Sequence, residues 1–331
     1  MAHVTQAGGE VLVERRDQPK SLVDVLGGFE ASHSVFPLAA RNEVVALSPD
    51  DSVAQAFETL AREKLLSAPI VDSSGTALGV VSVLHFVSYF VRHFSAEELQ
   101  GDDFNALVAK KNHLLGKRIR EIPDLQSWDK AHTIKEYQTA IDAVQLMIDD
   151  EARRVLVVDD NRKLVTVISQ SRMLHLVSGV LDSLPDPAHR TLQERNLHQK
   201  EVVRIRLDQP AGEAFALMRE RKISGVAVVD EEGKLVGVIS ASDLKLLGFD
   251  LGYLHLLGKS ARDYLTALRG SIADSQREVC TCDANSSIDH AVKQLIARHV
   301  HRLFVIDDQR RLLGVVSIRD ILKTLLNPFE T

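Results

Sequence analysis

The sequence predicts an α+β fold built from four copies of one β-α-β-β-α unit, and three observations predict it. The first is a ten-residue ruler. Asp72, Asp159, Asp230 and Asp307 each end a short apolar run, and ten residues further each meets a serine: Ser82, Ser169, Ser240 and Ser317. The second is that the runs on either side of the ruler's turn are apolar on nearly every residue, as in Val226 to Val229 and Val238-Ile239. Such runs suit strands covered on both faces. The third is apolar spacing of helical period ahead of the ruler, with Val53, Ala56, Phe57 and Leu60 in the first copy and Ala214, Leu217 and Met218 in the third. Self-similarity of this kind decides the architecture before any local propensity does.

Each element then follows from its punctuation. A leading strand (Val44 to Leu47; Val202 to Ile205) meets a polar break, Pro49-Asp50-Asp51-Ser52 or Asp208-Gln209-Pro210. The first helix follows, with Ser52 and Ser286 placed as N-caps in the first and fourth copies. Two strands come next, joined by turns such as Asp72-Ser73-Ser74-Gly75 and Asp230-Glu231-Glu232-Gly233. A second helix, as in Asp243-Leu244-Lys245-Leu246-Leu247, closes the unit. A unit of roughly 50 residues buries too little surface to stand alone, so the copies are expected to pair.

Composition narrows the function. The 331 residues are 45% hydrophobic and 26% charged, as in globular proteins, and the net charge of −6 argues against a general nucleic-acid binder. No apolar run is long enough to span a bilayer, and the N-terminus lacks a signal-peptide layout, so a cytoplasmic or also nuclear location is expected. Cys280 and Cys282 lack ligand partners at metal spacing and read as idle thiols. No nucleophile elbow, phosphate loop or His-Glu-x-x-His pattern occurs, so neither an enzyme nor a metal site is expected. Residues 1–20 lack periodicity and read as a flexible tail; Pro185-Asp186-Pro187 reads as a boundary, and Tyr264-Leu265-x-x-Leu268 as a bracing amphipathic helix.

The unit, closing in the fourth copy with Gly314-Val315-Val316-Ser317-x-x-Asp320-Ile321-Leu322, strongly resembles the cystathionine β-synthase (CBS) domain. From about residue 21 onward the chain also resembles the γ regulatory subunits of the AMP-activated/sucrose-nonfermenting protein kinases. Asp24-Val25-Leu26-x-Gly28-Phe29, Ser32-His33, Ala68-Pro69-Ile70-Val71-Asp72, Val228-Val229-Asp230-Glu231-x-Gly233 and His301-Arg302-Leu303 carry that likeness. It implies two Bateman modules in a pseudo-symmetric disk. The first would be 21–185, with repeats at about 43–95 and 131–180; the second would be 186–331, with repeats at about 201–249 and 278–326. It further implies AMP, ADP and ATP as ligands, and a catalytic α-type and a scaffold β-type chain as partners. The alternatives are a free-standing CBS sensor of adenosyl ligands and a scaffold without ligand.

Two variable positions say which copies bind. Three residues past the ruler serine stand Asp243 and Asp320 in the third and fourth copies, but His85 and Arg172 in the first and second. A carboxylate there can accept from both hydroxyls of a ribose, with charge-assisted strength. The same Ser-x-x-Asp spacing also reads as a capping box. In the resembling family the aspartate is the ribose ligand. The nucleoside pocket then takes in Ser224, Ile239, Ser240, Ser242, Val316 and Ser317.

The second position lies six and five residues before the ruler aspartate: Leu66-Ser67, Arg153-Arg154, Ser224-Gly225 and His301-Arg302. Arg153, Arg154, His301 and Arg302 would form a cationic well for phosphate, because the guanidinium fork matches phosphate oxygens; surface ion pairs are the plainer reading. The resemblance adds Arg319 to the phosphate contacts. Against the family's pattern, Arg153 replaces a histidine, Leu66 an arginine and Ser171 a lysine, while Arg172 stands where the family's second site stays empty.

Overall fold

The computed structural model describes residues 22–26, 44–94, 98, 104–123, 131–184, 190–243, 255–269 and 279–327. The tail at 1–20, Gly28, Phe29, Ser32, His33, the boundary prolines 185 and 187 and the stretch 244–247 lie outside them. A short helix α1 (Leu22–Leu26) comes first. The first copy holds α2 (Val53–Arg62), β1 (Ser67–Val71), β2 (Ala77–Ser82) and α3 (Val83–His93), and α4 (Phe104–Gly116) connects onward. The second copy holds β3 (Thr133–Lys135), α5 (Ala140–Asp149), β4 (Arg154–Val158), β5 (Leu164–Ser169) and α6 (Gln170–Ser178). The third holds β6 (Arg204–Arg206), α7 (Ala211–Glu220), β7 (Gly225–Val229) and β8 (Leu235–Ser240), followed by α8 (Ala261–Arg269). The fourth holds β9 (Thr281–Cys282), α9 (Ile288–Ala297), β10 (Arg302–Ile306), β11 (Leu312–Ser317) and α10 (Ile318–Leu326). The full β-α-β-β-α order is present in copies 2 and 4, while the closing helix expected in copy 3 lies mostly outside the described residues.

The ruler has a physical cause at each end. The aspartates accept backbone N–H groups of the turn they open, as Asp72 Oδ1 does from Ser74 and Thr76, and Asp307 Oδ1 from Gln309 and Arg311. This side-chain turn fixes the hairpin geometry. In copies 2 and 4 the serines N-cap the second helices: the hydroxyls of Ser169 and Ser317 accept from the N–H groups of Arg172 and Asp320. Between the marks every hairpin is antiparallel and shifts register at the same place, between Ile70/Val71, Val157/Val158, Val228/Val229 and Val305/Ile306.

Three local expectations shift. The leading strand of the first copy is reduced to one bridge, Leu47 to Ile70, so its sheet has two strands where the others have three. The third leading strand runs Arg204–Arg206, beyond Val202. The fourth copy's cap is Ser287, one residue past Ser286. Burying Ile288 at the first helical position sets that register, and Ser286 instead hydrogen-bonds Asp283 within the preceding turn.

The copies close into a ring through two kinds of contact. Sheets pair copy 1 with copy 2, where Ala77 and Val80 meet Leu156 and Val158, and copy 3 with copy 4, where Ala227 and Leu235 meet Phe304. Helices pair copy 1 with copy 3 around Phe57, Phe86, Phe215 and Met218. They pair copy 2 with copy 4 around Met147, Met173, Leu295 and Leu322. Helix α8 supplies Tyr264 and Leu268 to the copy 1–copy 3 core, as its amphipathic spacing predicts. The two largest cores therefore cross from one sheet-paired couple to the other.

Candidate functional site

The sheet hairpins aim the residues at the start of each first hairpin strand toward the middle of the ring. Arg154, at the head of β4, crosses to copy 1 and donates to the Ser67 hydroxyl. Arg302, at the head of β10, makes the equivalent crossing to copy 3, donating to the Ser224 hydroxyl and the Gly225 carbonyl. Gly225 is small for a reason: a Cβ there would lie 2.6 Å from a guanidinium nitrogen of Arg302. The sequence carried this signal, since small residues (Ser67, Gly225) and arginines (Arg154, Arg302) alternate at one ruler position.

Around these crossings the expected cations converge. Arg153 donates to the Lys222 carbonyl of copy 3, and His301 Nε2 lies 3.2 Å from the Ser171 hydroxyl of copy 2. Arg172 folds back onto the Val167 carbonyl at 2.8 Å. Burial pushes the Arg302 guanidinium down to about 10, with Arg153 adding repulsion and Asp320 opposing it. Burial likewise pushes Arg154 down to about 10, with Arg172 and Arg153 adding repulsion. Arg302 and Arg154 remain cationic at neutral pH. Guanidinium groups crowded and desolvated in this way repel one another and favour an anionic neighbour.

The carboxylates stand where the spacing placed them. Asp243 Oδ2 accepts from the Ser240 N–H at 2.8 Å and Oδ1 from its hydroxyl at 3.0 Å. Asp320 Oδ2 accepts from the same two groups of Ser317 at 2.8 and 2.6 Å. So the capping reading holds on both side chains. His85 replaces the carboxylate in copy 1 even as a cap, its Nδ1 accepting from the Ser82 N–H at 3.0 Å.

Other expected residues lie elsewhere. Ile239 and Val316 alternate toward the helices and are fully buried in the two large cores. Ser242 lies in the turn between Ser240 and Asp243. Arg319 reaches copy 2 instead of the central cluster, donating to the Ile148 carbonyl at 2.9 Å and pairing with Glu151. A cation on the C-terminal carbonyls of α5 is favoured by the helix dipole. Sequence reasoning missed Lys200, whose ammonium lies 2.8 Å from Asp320; no motif marks it. A cleft of about 370 Å³ opens between copies 3 and 4, lined by Val202, Arg204, Leu217, Arg221 and Leu313, and neither ribose-type aspartate lines it. Cys282 is buried, and burial with Asp283 beside it raises its thiol to about 12, which suits an inert side chain. Among the described residues no helix is long and apolar enough to cross a membrane.

Comparison with known proteins gives this geometry a family. The CBS domain model matches residues 38–92, 119–179, 195–247 and 270–327, well over half of the chain. The SNF1-related protein kinase regulatory subunit gamma-1 of Arabidopsis thaliana is 24% identical, over 89% of this chain and 81% of that protein. The 5'-AMP-activated protein kinase subunit gamma-3 of Sus scrofa is also 24% identical, over 90% of this chain but 57% of its own length. In fold, protein MJ1225 of Methanocaldococcus jannaschii superposes with a TM-score of 0.66 at 18% identity, over 87% of this chain and 98% of its own. The chain is a member of the CBS-domain family, with four CBS domains in tandem and a likeness to kinase γ regulatory subunits.

Proposed function

We propose that this chain is an adenine-nucleotide-binding regulatory subunit, a γ-type energy sensor of a heterotrimeric protein kinase, with its modules dividing at 185/186. The observation that carries the reading is the convergence of Arg153, Arg154, Arg172, His301 and Arg302 at the middle of the ring, with Asp320 beside Arg302. Phosphate answers the cations and ribose answers the carboxylate; a nucleotide joins both in one molecule. AMP, ADP and ATP compete in copies 3 and 4, held at the ribose by Asp243 or Asp320 and sorted by the phosphate charge the arginines neutralise. Similarity to γ-named subunits supports the kinase assignment. An output to a kinase requires that the nucleotides bind two states of the complex unequally.

Two measurements test it. Mass spectrometry of small molecules released on denaturing the purified protein should find AMP or ADP near stoichiometry. Co-purification should retain a kinase catalytic chain and a scaffold chain. Retained nucleotide without a kinase would leave a free-standing sensor, and calorimetry showing no binding of AMP, ADP or ATP would remove the sensor reading altogether.

A further inference from the structure

Asp320 is engaged on both oxygens. Oδ2 accepts from the N–H and the hydroxyl of Ser317, and Oδ1 accepts from the Lys200 ammonium at 2.8 Å. A carboxylate offers about four lone-pair positions. Three bonds are already made, so both hydroxyls of a vicinal diol cannot be accepted while the ammonium stays. The pair is built to open: the Lys200 side chain is 51% exposed, against 17% for Asp320.

Lys200 is delivered by a strap laid across copy 4. The Leu192 N–H donates to the Ser286 carbonyl, and the Arg190 carbonyl accepts from Ile288. The Arg195 guanidinium donates to the carbonyls of Thr324 and Asn327 at the end of α10. At the other end the His198 carbonyl lies against Gly314, where no Cβ would fit. His198 Nδ1 is buried there with no hydrogen-bond partner. The strap is thus anchored at its base, while its tip, 198–200, closes over the carboxylate with one ring nitrogen left unsatisfied.

We propose that Lys200 is a specificity-determining residue that gates copy 4: it competes with the ribose diol for Asp320, so a nucleoside enters only by displacing the ammonium. The inference rests on the nucleotide reading of the site. It makes copy 4 selective for ligands whose phosphates recover what the lost ion pair contributed, and poor for the bare nucleoside. Copy 4 would then report charged nucleotide and ignore adenosine.

The test uses the full chain carrying Asp243→Ala, which leaves copy 4 as the nucleoside site, with adenosine and ATP as probes in calorimetry. Adding Lys200→Gln should tighten adenosine about two- to fivefold, the scale of one partly exposed ion pair, and Lys200→Arg should restore the parent affinity. Salt gives an independent sign. Adenosine is neutral, so screening the Lys200–Asp320 pair should strengthen its binding as ionic strength rises, and Lys200→Gln should flatten that response. Adenosine affinity and salt response unchanged by Lys200→Gln would overturn the gate and leave the nucleotide reading standing. Weaker ATP with unchanged adenosine would make Lys200 a phosphate ligand and overturn the gate too. If neither the parent nor any variant binds adenosine or ATP, the nucleotide reading falls and the gate falls with it.

Discussion

Arg154 and Arg302 hold the same position in copies 2 and 4 and make the same crossing, onto Ser67 and onto Ser224 with Gly225. Arg153 repels both guanidinium groups, and the difference lies in a second charged neighbour. Arg302 has a carboxylate near it, Asp320, whereas Arg154 faces a further arginine, Arg172, from the matching helix position. Within the repeated frame the residue three past the ruler serine is a carboxylate in copy 4 and a guanidinium in copy 2, and on the reading proposed above only the carboxylate accepts a nucleoside diol. Copies 1 and 2 carry His85 and Arg172 at that position in place of a carboxylate. The lesson is that repeat position fixes direction and burial, while the residue three past the ruler serine fixes what chemistry the position can do.

The largest effects should come from the sheet contacts that create both crossings. Phe304 is 3% exposed in the copy 3–copy 4 contact, and Leu156 is 0% exposed in the copy 1–copy 2 contact. Phe304→Ala should cost about 3–5 kcal/mol and Leu156→Ala about 2–5 kcal/mol by chemical denaturation. If nucleotide affinity falls only with Phe304→Ala, the second module alone carries the site; equal losses would erase the comparison.

Next come the carboxylates and the cations facing them. Asp243→Ala and Asp320→Ala should each weaken AMP by about 1–3 kcal/mol, the scale of lost charge-assisted bonds, or remove a site from the calorimetric stoichiometry. Arg302→Gln should weaken AMP and ATP by a similar 1.5–3 kcal/mol, roughly one or two such bonds, while adenosine loses much less. Arg154→Gln should weaken them less, because deleting it also relieves repulsion from Arg172 and Arg153. Equal losses for AMP and adenosine in Arg302→Gln would return that residue to packing.

A smaller contrast is one of pH. The backbone N–H of Arg311 holds Asp307 below the ordinary carboxylate range, as the Ser74 hydroxyl and the backbone of that turn do for Asp72. A carboxyl whose folded pKa is depressed contributes stability above its unfolded pKa and loses it as pH falls through the folded one. Asp307→Asn should therefore flatten the acid limb of a stability–pH profile and leave its slope unchanged near neutrality. An unchanged acid limb would show that the turn's hydrogen bonds persist in the unfolded chain.

Much of this was legible beforehand. The ruler was legible because its ends are local chemistry, an aspartate closing a turn and a serine capping a helix. Asp243 and Asp320 were legible for the same reason. Arg302 was legible as a cation, but its seat on Gly225 depends on a residue 77 positions away. Lys200 was not legible at all, because the strap that brings it to Asp320 folds across a copy 120 positions distant. Ile239 and Val316 were legible as apolar strand residues, and both lie buried in the two large helical cores. Arg319 had no local signal separating a central cation from one seated on a neighbouring helix end.

The smallest effect tests how alike the two modules are where they should be alike. In copies 1 and 3 the hairpin turn takes a left-handed residue at Gly75 and Gly233, with φ of 84° and 77°. Copies 2 and 4 place Arg162 and Arg310 there, at 64° and 63°. A side chain in that region costs about 1–2 kcal/mol relative to ordinary backbone. Glycine removes the clash but gives back about 0.5–1 kcal/mol as lost chain entropy. Both arginine side chains are exposed, and the work at these positions is done by their carbonyls, which accept from Ala77 and Leu235 across the sheet contact at 3.3 and 3.0 Å. Glycine keeps those carbonyls in place. Arg162→Gly and Arg310→Gly should therefore each stabilise the fold by less than about 1 kcal/mol, and by equal amounts, in thermal or chemical denaturation. A gain in one and a loss in the other would mean that one arginine serves its module through its side chain, and that the two sheet contacts are less alike than their backbones.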